Sequence, residues 1–165
     1  MRIARLATFA ATIAFPALVQ AQTTANVAAT ASVVTPLVVT GTAPLAFGNV
    51  FQGVNKTVTA IDATSGRFGI TGFGTSQVAL TFTLPTDLTS GANNLPIDSW
   101  DVRSNGTNAT AGSTAFAVTS GSPALRNLVA NNLFLFVGGR VVPGATQAAG
   151  SYSGSIVLAA AYTGL

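Results

Sequence analysis

Short runs in which apolar residues recur at every second position constrain this chain more than any other feature. Val78, Leu80, Phe82 and Leu84 alternate with Ala79, Thr81 and Thr83 until Pro85 ends the run. Ala25, Val27, Ala29, Ala31 and Val33 alternate with Asn26, Ala28, Thr30 and Ser32, and Trp100 and Val102 stand against Ser99, Asp101 and Arg103. A spacing of two turns one set of side chains toward a core and the other toward water, which is the habit of a strand with one buried face. Residues 133–137 and 156–162 are apolar on both faces and read as buried central strands.

Turn-forming clusters separate these runs: Thr64-Ser65-Gly66, Gly72-Phe73-Gly74, residues 89–94, Asn105-Gly106-Thr107-Asn108, Ser120-Gly121-Ser122-Pro123 and Gly138-Gly139. Short strands punctuated roughly every 8 to 15 residues predict an all-β antiparallel sandwich of eight or nine strands. Helix-forming composition is thin, with no glutamate and a single lysine beyond the first residues. Residues 124–131 could make one short helical turn. No repeat of 20 to 50 residues is visible, which argues against a solenoid.

The N-terminus has a different character. Arg2 and Arg5 precede a largely apolar stretch over residues 6–19, and Val19-Gln20-Ala21 closes it with small residues at its first and third positions. Those are the marks of a secretory signal peptide, with cleavage expected between Ala21 and Gln22. The stretch is shorter than the ~20 residues of a spanning helix and contains Pro16. The expected organisation is a signal peptide over residues 1–21 and one β-sandwich domain over residues 22–165, with no membrane span in the mature chain.

Removing Arg2 and Arg5 also removes most of the net charge of +3. Lys56, Arg67, Arg103, Arg126 and Arg140 then face Asp62, Asp87, Asp98 and Asp101, leaving no basic patch to attract nucleic acid. Charged residues make up 7% of the chain, against about 25% in ordinary soluble domains. The surface must therefore be built from Thr, Ser, Asn, Gln, Gly and Ala. Cysteine is absent, so stability outside the cytoplasm has to come from packing, backbone pairing or assembly.

Catalytic chemistry is poorly provided for. Without His, Cys or Glu, neither Ser-His-Asp nor Cys-His arrangements nor His-based zinc sites can be assembled. Asp98 and Asp101 are the nearest carboxylate pair, but an odd separation on a regular strand sends them to opposite faces. Asp98 reads as a turn or strand-start residue and Asp101 as a solvent residue. A calcium site from Asp98, Asp101 and Asn105 lacks a dense ligand loop. Gly66, Gly69, Gly72 and Gly74 lie between strand-like runs and read as turn or bulge positions rather than a phosphate loop. Most aromatics read as core, with Phe51 and Phe73 in loops. No enzyme, no cofactor and no metal are expected.

The stretch Ala31-Ser32-Val33-Val34-Thr35-Pro36-Leu37, followed by Leu45-Ala46-Phe47-Gly48-Asn49-Val50, resembles the opening of a bacterial secreted family known as domain of unknown function 4402. Arg67-Phe68-Gly69-Ile70-Thr71-Gly72, the strand ending Thr83-Leu84-Pro85, and residues 148–155 before a last apolar run continue the likeness in order. That family looks related to spore coat protein U and to chaperone-usher pilins, incomplete immunoglobulin-like sandwiches completed by a neighbour's strand. Gly150 and Tyr162 have the spacing of a C-terminal pilin pattern, although three residues follow the tyrosine and the cysteine pair common in pilins is missing.

The resemblance implies an exported structural subunit of a pilus, coat or matrix, located in the periplasm, at the cell surface or outside the cell. Its partners would be itself or other subunits through β-strand pairing, with a periplasmic chaperone as a further partner. On physical grounds, Ala25, Val27, Ala29, Ala31 and Val33 can serve either as the first strand of the chain's own sandwich or as a strand donated to another subunit. The alternatives are a monomeric adhesin-like binding module and a small outer-membrane β-barrel.

Overall fold

The computed structural model describes residues 23–164. The expected cleavage site at Ala21 and Gln22 lies outside the described residues. The chain divides into two units, one ending at Ser32 and one beginning at Val33. In the first, residues 23–32 form no strand and are exposed. The second is all-β, with ten strands where eight or nine are expected: β1 (Val38–Ala43), β2 (Lys56–Val58), β3 (Gly66–Thr71), β4 (Gln77–Thr83), β5 (Asp87–Ser90), β6 (Asn93–Asn105), β7 (Thr114–Phe116), β8 (Pro123–Asn127), β9 (Asn132–Val141) and β10 (Val157–Tyr162). The excess comes from β2, β5 and β7, pieces of three or four residues too short to carry a period.

All pairings are antiparallel. The larger sheet runs β1-β3-β9-β6-β5, with β2 added to β9 and β7 to β6; the smaller runs β10-β4-β8. Neither path returns to its first strand, so the described strands make two sheets rather than one closed cylinder. They pack face to face on Ile70 of β3, Val102 of β6 and Leu133, Leu135 and Val137 of β9, which meet Val78, Leu80 and Phe82 of β4 and Leu158 of β10. The alternation read over residues 78–84 thus places Val78, Leu80 and Phe82 in the core, all at 0% exposure. Burying side chains of this size stabilises by about 1.5 to 3 kcal/mol each.

Strand β9 is the central strand its sequence predicts. Its inward residues fill the core, while Phe136 on its other face is buried beneath the Arg67 guanidinium, 5.5 Å from the ring centroid. Gly138 and Gly139, read as a turn, instead lie within β9 and are buried. A Cβ on Gly138 would run into the carbonyl oxygen of Val58 and come within 2.6 Å of the Ala60 amide nitrogen. The absent side chain is what lets β2 and the residues after it cross so closely.

Two further expectations are corrected. Residues 124–131, a possible helical turn, form β8 and a tight hairpin, because pairing with β4 from Gln77↔Asn127 to Thr81↔Pro123 outweighs local propensity. Ala130 and Asn131 make the turn, with φ of 47° and 70°. Residues 156–162, read as a buried central strand, supply β10 (Val157–Tyr162) at the edge of the smaller sheet, where only Leu158 is buried and Val157 is 54% exposed.

The Gly138 contact gives a direct test. Gly138→Ala should destabilise the domain by about 1 to 3 kcal/mol, the usual cost of forcing extra volume into packed structure. Gly144→Ala, with open space around it, should cost far less. Chemical denaturation of the two variants measures the difference.

Candidate functional site

The two sheets are joined by packing and not by a ladder along the side where β1 and β10 face each other. Among the described residues β1 pairs only with β3, and β10 only with β4, so both strands carry a backbone edge with no partner strand. A cleft of about 1270 Å³ lies beyond them. The segment from Gly41 to Gln52 forms one lip, and the segment from Gln147 to Ile156 forms the other.

The floor is apolar. Phe68, Leu88, Leu95, Ile97, Trp100 and Ile156 contribute to it, and Leu95, Ile97 and Val141 form a second buried cluster on which Leu45, Phe47, Leu88, Trp100 and Tyr152 pack. Among the described lining residues the one charge is Arg67, whose guanidinium is drawn over Phe136. An apolar floor that opens past the end of β1 and the start of β10 can take an extended peptide that pairs with those backbone edges and lowers alternate side chains into the floor.

Both ends of this seam are tied. At one end the Gly53 N–H donates to the Gly144 carbonyl at 3.0 Å, and the Gln52 side-chain amide donates to the Gln147 carbonyl at 2.6 Å. Gln147 in turn donates to Asn94 O and to the Tyr152 hydroxyl, and Tyr152 donates to Ala148 O, so this lip has its own internal bonds. Thr89 and Ser153 exchange both backbone hydrogen bonds and hold the lip to β5.

At the other end Tyr162 acts as a clasp. Its hydroxyl accepts the Phe73 N–H at 2.7 Å and donates to the Thr35 carbonyl at 2.9 Å. Gly72 makes room for it: a Cβ there would lie 2.5 Å from the hydroxyl, 2.8 Å from Leu37 and 2.9 Å from Leu128.

The residues singled out by sequence fall as follows. Gly150 sits in the lip against Ser90, where a Cβ would meet the Ser90 hydroxyl at 2.7 Å, and Tyr162 closes the opposite end. The pair therefore brackets the whole C-terminal side of the seam. Ala25, Val27, Ala29, Ala31 and Val33 lie in no strand, with Val27 93% and Val33 97% exposed. Phe51 and Phe73 are exposed, as their loop positions suggest. Phe68 and Trp100, read as core aromatics, line the cleft, and Gln147, which carried no site reading by sequence, braces its lip.

Asp98 and Asp101 are not where the sequence places them. A register shift in the β6–β9 ladder, with Ser99 at φ 52°, inserts one extra residue, so Asp98 opposes Arg140 and Asp101 opposes Gly138 on the same side of β9. Each is committed to a different partner. Asp98 makes a bidentate pair with Arg140 at 2.8 Å, and Asp101 leaves solvent to accept the Ala60 N–H at 2.8 Å. No group of three metal-ligating acids occurs among the described residues.

Comparison with protein-family models, with curated proteins and with solved structures returned no match.

The Arg140 guanidinium, through its hydrogen bonds and its charge, holds the Asp98 carboxyl below its ordinary 3.8. A carboxyl depressed on folding adds stability above its unfolded pKa and loses it as pH falls through the folded value. Asp98→Asn should therefore cost a little stability at pH 7 and less as the pH is lowered toward 2. Because both groups are exposed, the difference is small, and thermal melts at the two pH values would register it.

Proposed function

We propose that this chain is an exported, non-enzymatic structural subunit of a bacterial surface fibre, coat or matrix, assembled by adding a strand to the open seam between β1 and β10. The observation that carries the reading is a pairing of supply and demand. One chain contains an apolar cleft next to two strand edges unpartnered among the described residues and, ahead of it in sequence, an exposed segment whose apolar residues recur at strand spacing. Residues 25–33 extend about 30 Å as a strand, enough to run along one lip of the seam. Ala25, Val27, Ala29, Ala31 and Val33 would face the floor while the backbone completes the edges.

The likeness to the domain of unknown function 4402 family and its pilin-like relatives supports the same reading, since in those relatives a neighbour's strand fills an incomplete sandwich. Gly150 and Tyr162, spaced as in that pattern, flank the seam's C-terminal side. A periplasmic chaperone would cover the cleft before assembly. Catalysis has no place in this reading, because the chain offers neither a histidine, a cysteine nor a glutamate.

A second reading, a monomeric extracellular binding module, draws on the aromatic residues Phe47, Phe68, Trp100 and Tyr152 around the cleft. Saturable binding of a glycan by a monomer, lost in Trp100→Ala, would favour it.

The strand-addition reading is tested in the arm, where substitution does not disturb the core. Val27→Asp with Ala29→Asp should leave the melting temperature unchanged and abolish association of residues 22–165, followed by size-exclusion chromatography with light scattering. Association that survives both charges would sink the proposal. Residues 22–55 contain no charged side chain, so attraction between arm and cleft is not electrostatic. Association should hold its strength as salt rises from about 0.05 to about 0.5 M, a range over which surface ion pairs are screened away.

A further inference from the structure

A segment tethered beside a cleft it fits has an advantage over any other molecule. On a short linker its effective concentration is about millimolar, so it fills its own cleft unless geometry forbids it. The lengths here do not forbid it. A reversal over residues 34–37 would lay Val33 beside Val38, Thr30 beside Gly41 and Ala25 beside Ala46, along the lip that bounds the cleft. If the strand-addition reading holds, something must stop this chain from closing on itself.

We infer that Thr35, Pro36 and Tyr162 form a latch that bars residues 25–33 from their own cleft and commits them to the cleft of a second copy of this chain. The inference rests on the strand-addition reading and adds to it the residues that decide between the two destinations.

Three observations converge. First, a turn over residues 34–37 would have Thr35 and Pro36 at its centre. A residue before proline is pushed out of the right-handed helical region that the first central position of a type I turn requires. The second central position of a type II turn, and both of a type I′ turn, need a positive φ, which the proline ring at about −65° cannot supply. Second, moving the reversal toward the N-terminus meets Val33 and Val34, β-branched residues for which positive φ is a steric outlier. Third, the carbonyl of Thr35 is already committed. It accepts the Tyr162 hydroxyl at 2.9 Å, while the same hydroxyl is held by the Phe73 N–H and Leu37 packs against the main core. The chain entering β1 is thus fastened on both sides of Pro36.

The latch also accounts for Gly72, a glycine whose Cβ would strike both Tyr162 and Leu37. Tyr162 on this account is a positioning residue. It does not line the cleft, and acts by fixing the course of the chain that enters β1.

The experiment gives the arm the turn it lacks. Thr35→Asn with Pro36→Gly installs an Asn-Gly pair, the strongest short signal for a tight hairpin. Tyr162→Phe is added to release the Thr35 carbonyl while keeping the ring. Wild type and triple variant, both as residues 22–165, are compared by light scattering across a concentration series and by amide hydrogen exchange of residues 25–33. A cis-closed state populated to about 90% would raise the concentration needed for association about tenfold. The expected result is that shift, together with slowed exchange of the arm in the variant's monomer.

A variant that associates at the wild-type concentration, with an arm that exchanges freely in its monomer, overturns the latch and leaves strand addition intact. A wild type that stays monomeric with a freely exchanging arm removes strand addition itself. A monomeric wild type with a protected arm overturns the latch alone, because the arm then already fills its own cleft. Should the triple variant fail to fold, Pro36→Gly alone decides by the same two readouts.

Discussion

Every backbone N–H and C=O in a sheet needs a partner, and among the described residues β1 and β10 leave that need unmet along the side where they face each other. The two sheets meet on an apolar core, yet among the described residues β1 and β10 each spend one edge on their own sheet and have no strand on the other. Exposed edges of this kind invite pairing, and proteins that avoid it cover them, twist them away or place charge on them. Neither edge strand carries a charged side chain. β10 carries Val157, Ala159 and Ala161 outward, and β1 carries Val38, Thr40 and Gly41.

The remaining charges are used for architecture. Arg67 covers Phe136, and Arg126 lies over Phe116 at 4.0 Å from its centroid, each offering its face to an aromatic ring. Arg103 is tied to Ser113 by two hydrogen bonds, and Arg140 to Asp98. With its cations engaged in this way, the domain has little left to repel another copy, and its contacts have to be discriminated by shape and backbone geometry. A tied lip, an apolar floor and a clasped N-terminal course supply that geometry.

Glycine contributes by leaving out volume where backbone meets backbone or side chain. Gly138 admits the crossing of β2, and Gly72 admits Tyr162. Both stand in sequence beside residues that look like turns, and neither is one. Close approach and turn formation ask for the same residue, so the letter alone does not separate them.

The sequence alone determined the class of fold and much of the core. Period-two runs such as residues 78–84 encode a strand and its buried face locally, and the doubly apolar residues 133–137 encode a central strand. Missing His, Cys and Glu exclude whole classes of chemistry without any coordinates. What only tertiary structure decided is which strands lie at an edge. Residues 156–162 are as apolar as residues 133–137, yet one run is exposed at an edge and the other is central, because position in a sheet depends on distant pairing that composition does not record. The same holds for Asp98 and Asp101, whose faces were set by one extra residue in the ladder with β9. Tyr162 reaches Thr35 across 127 positions of chain, and the clasp exists only because the sandwich brings its first and last strands together.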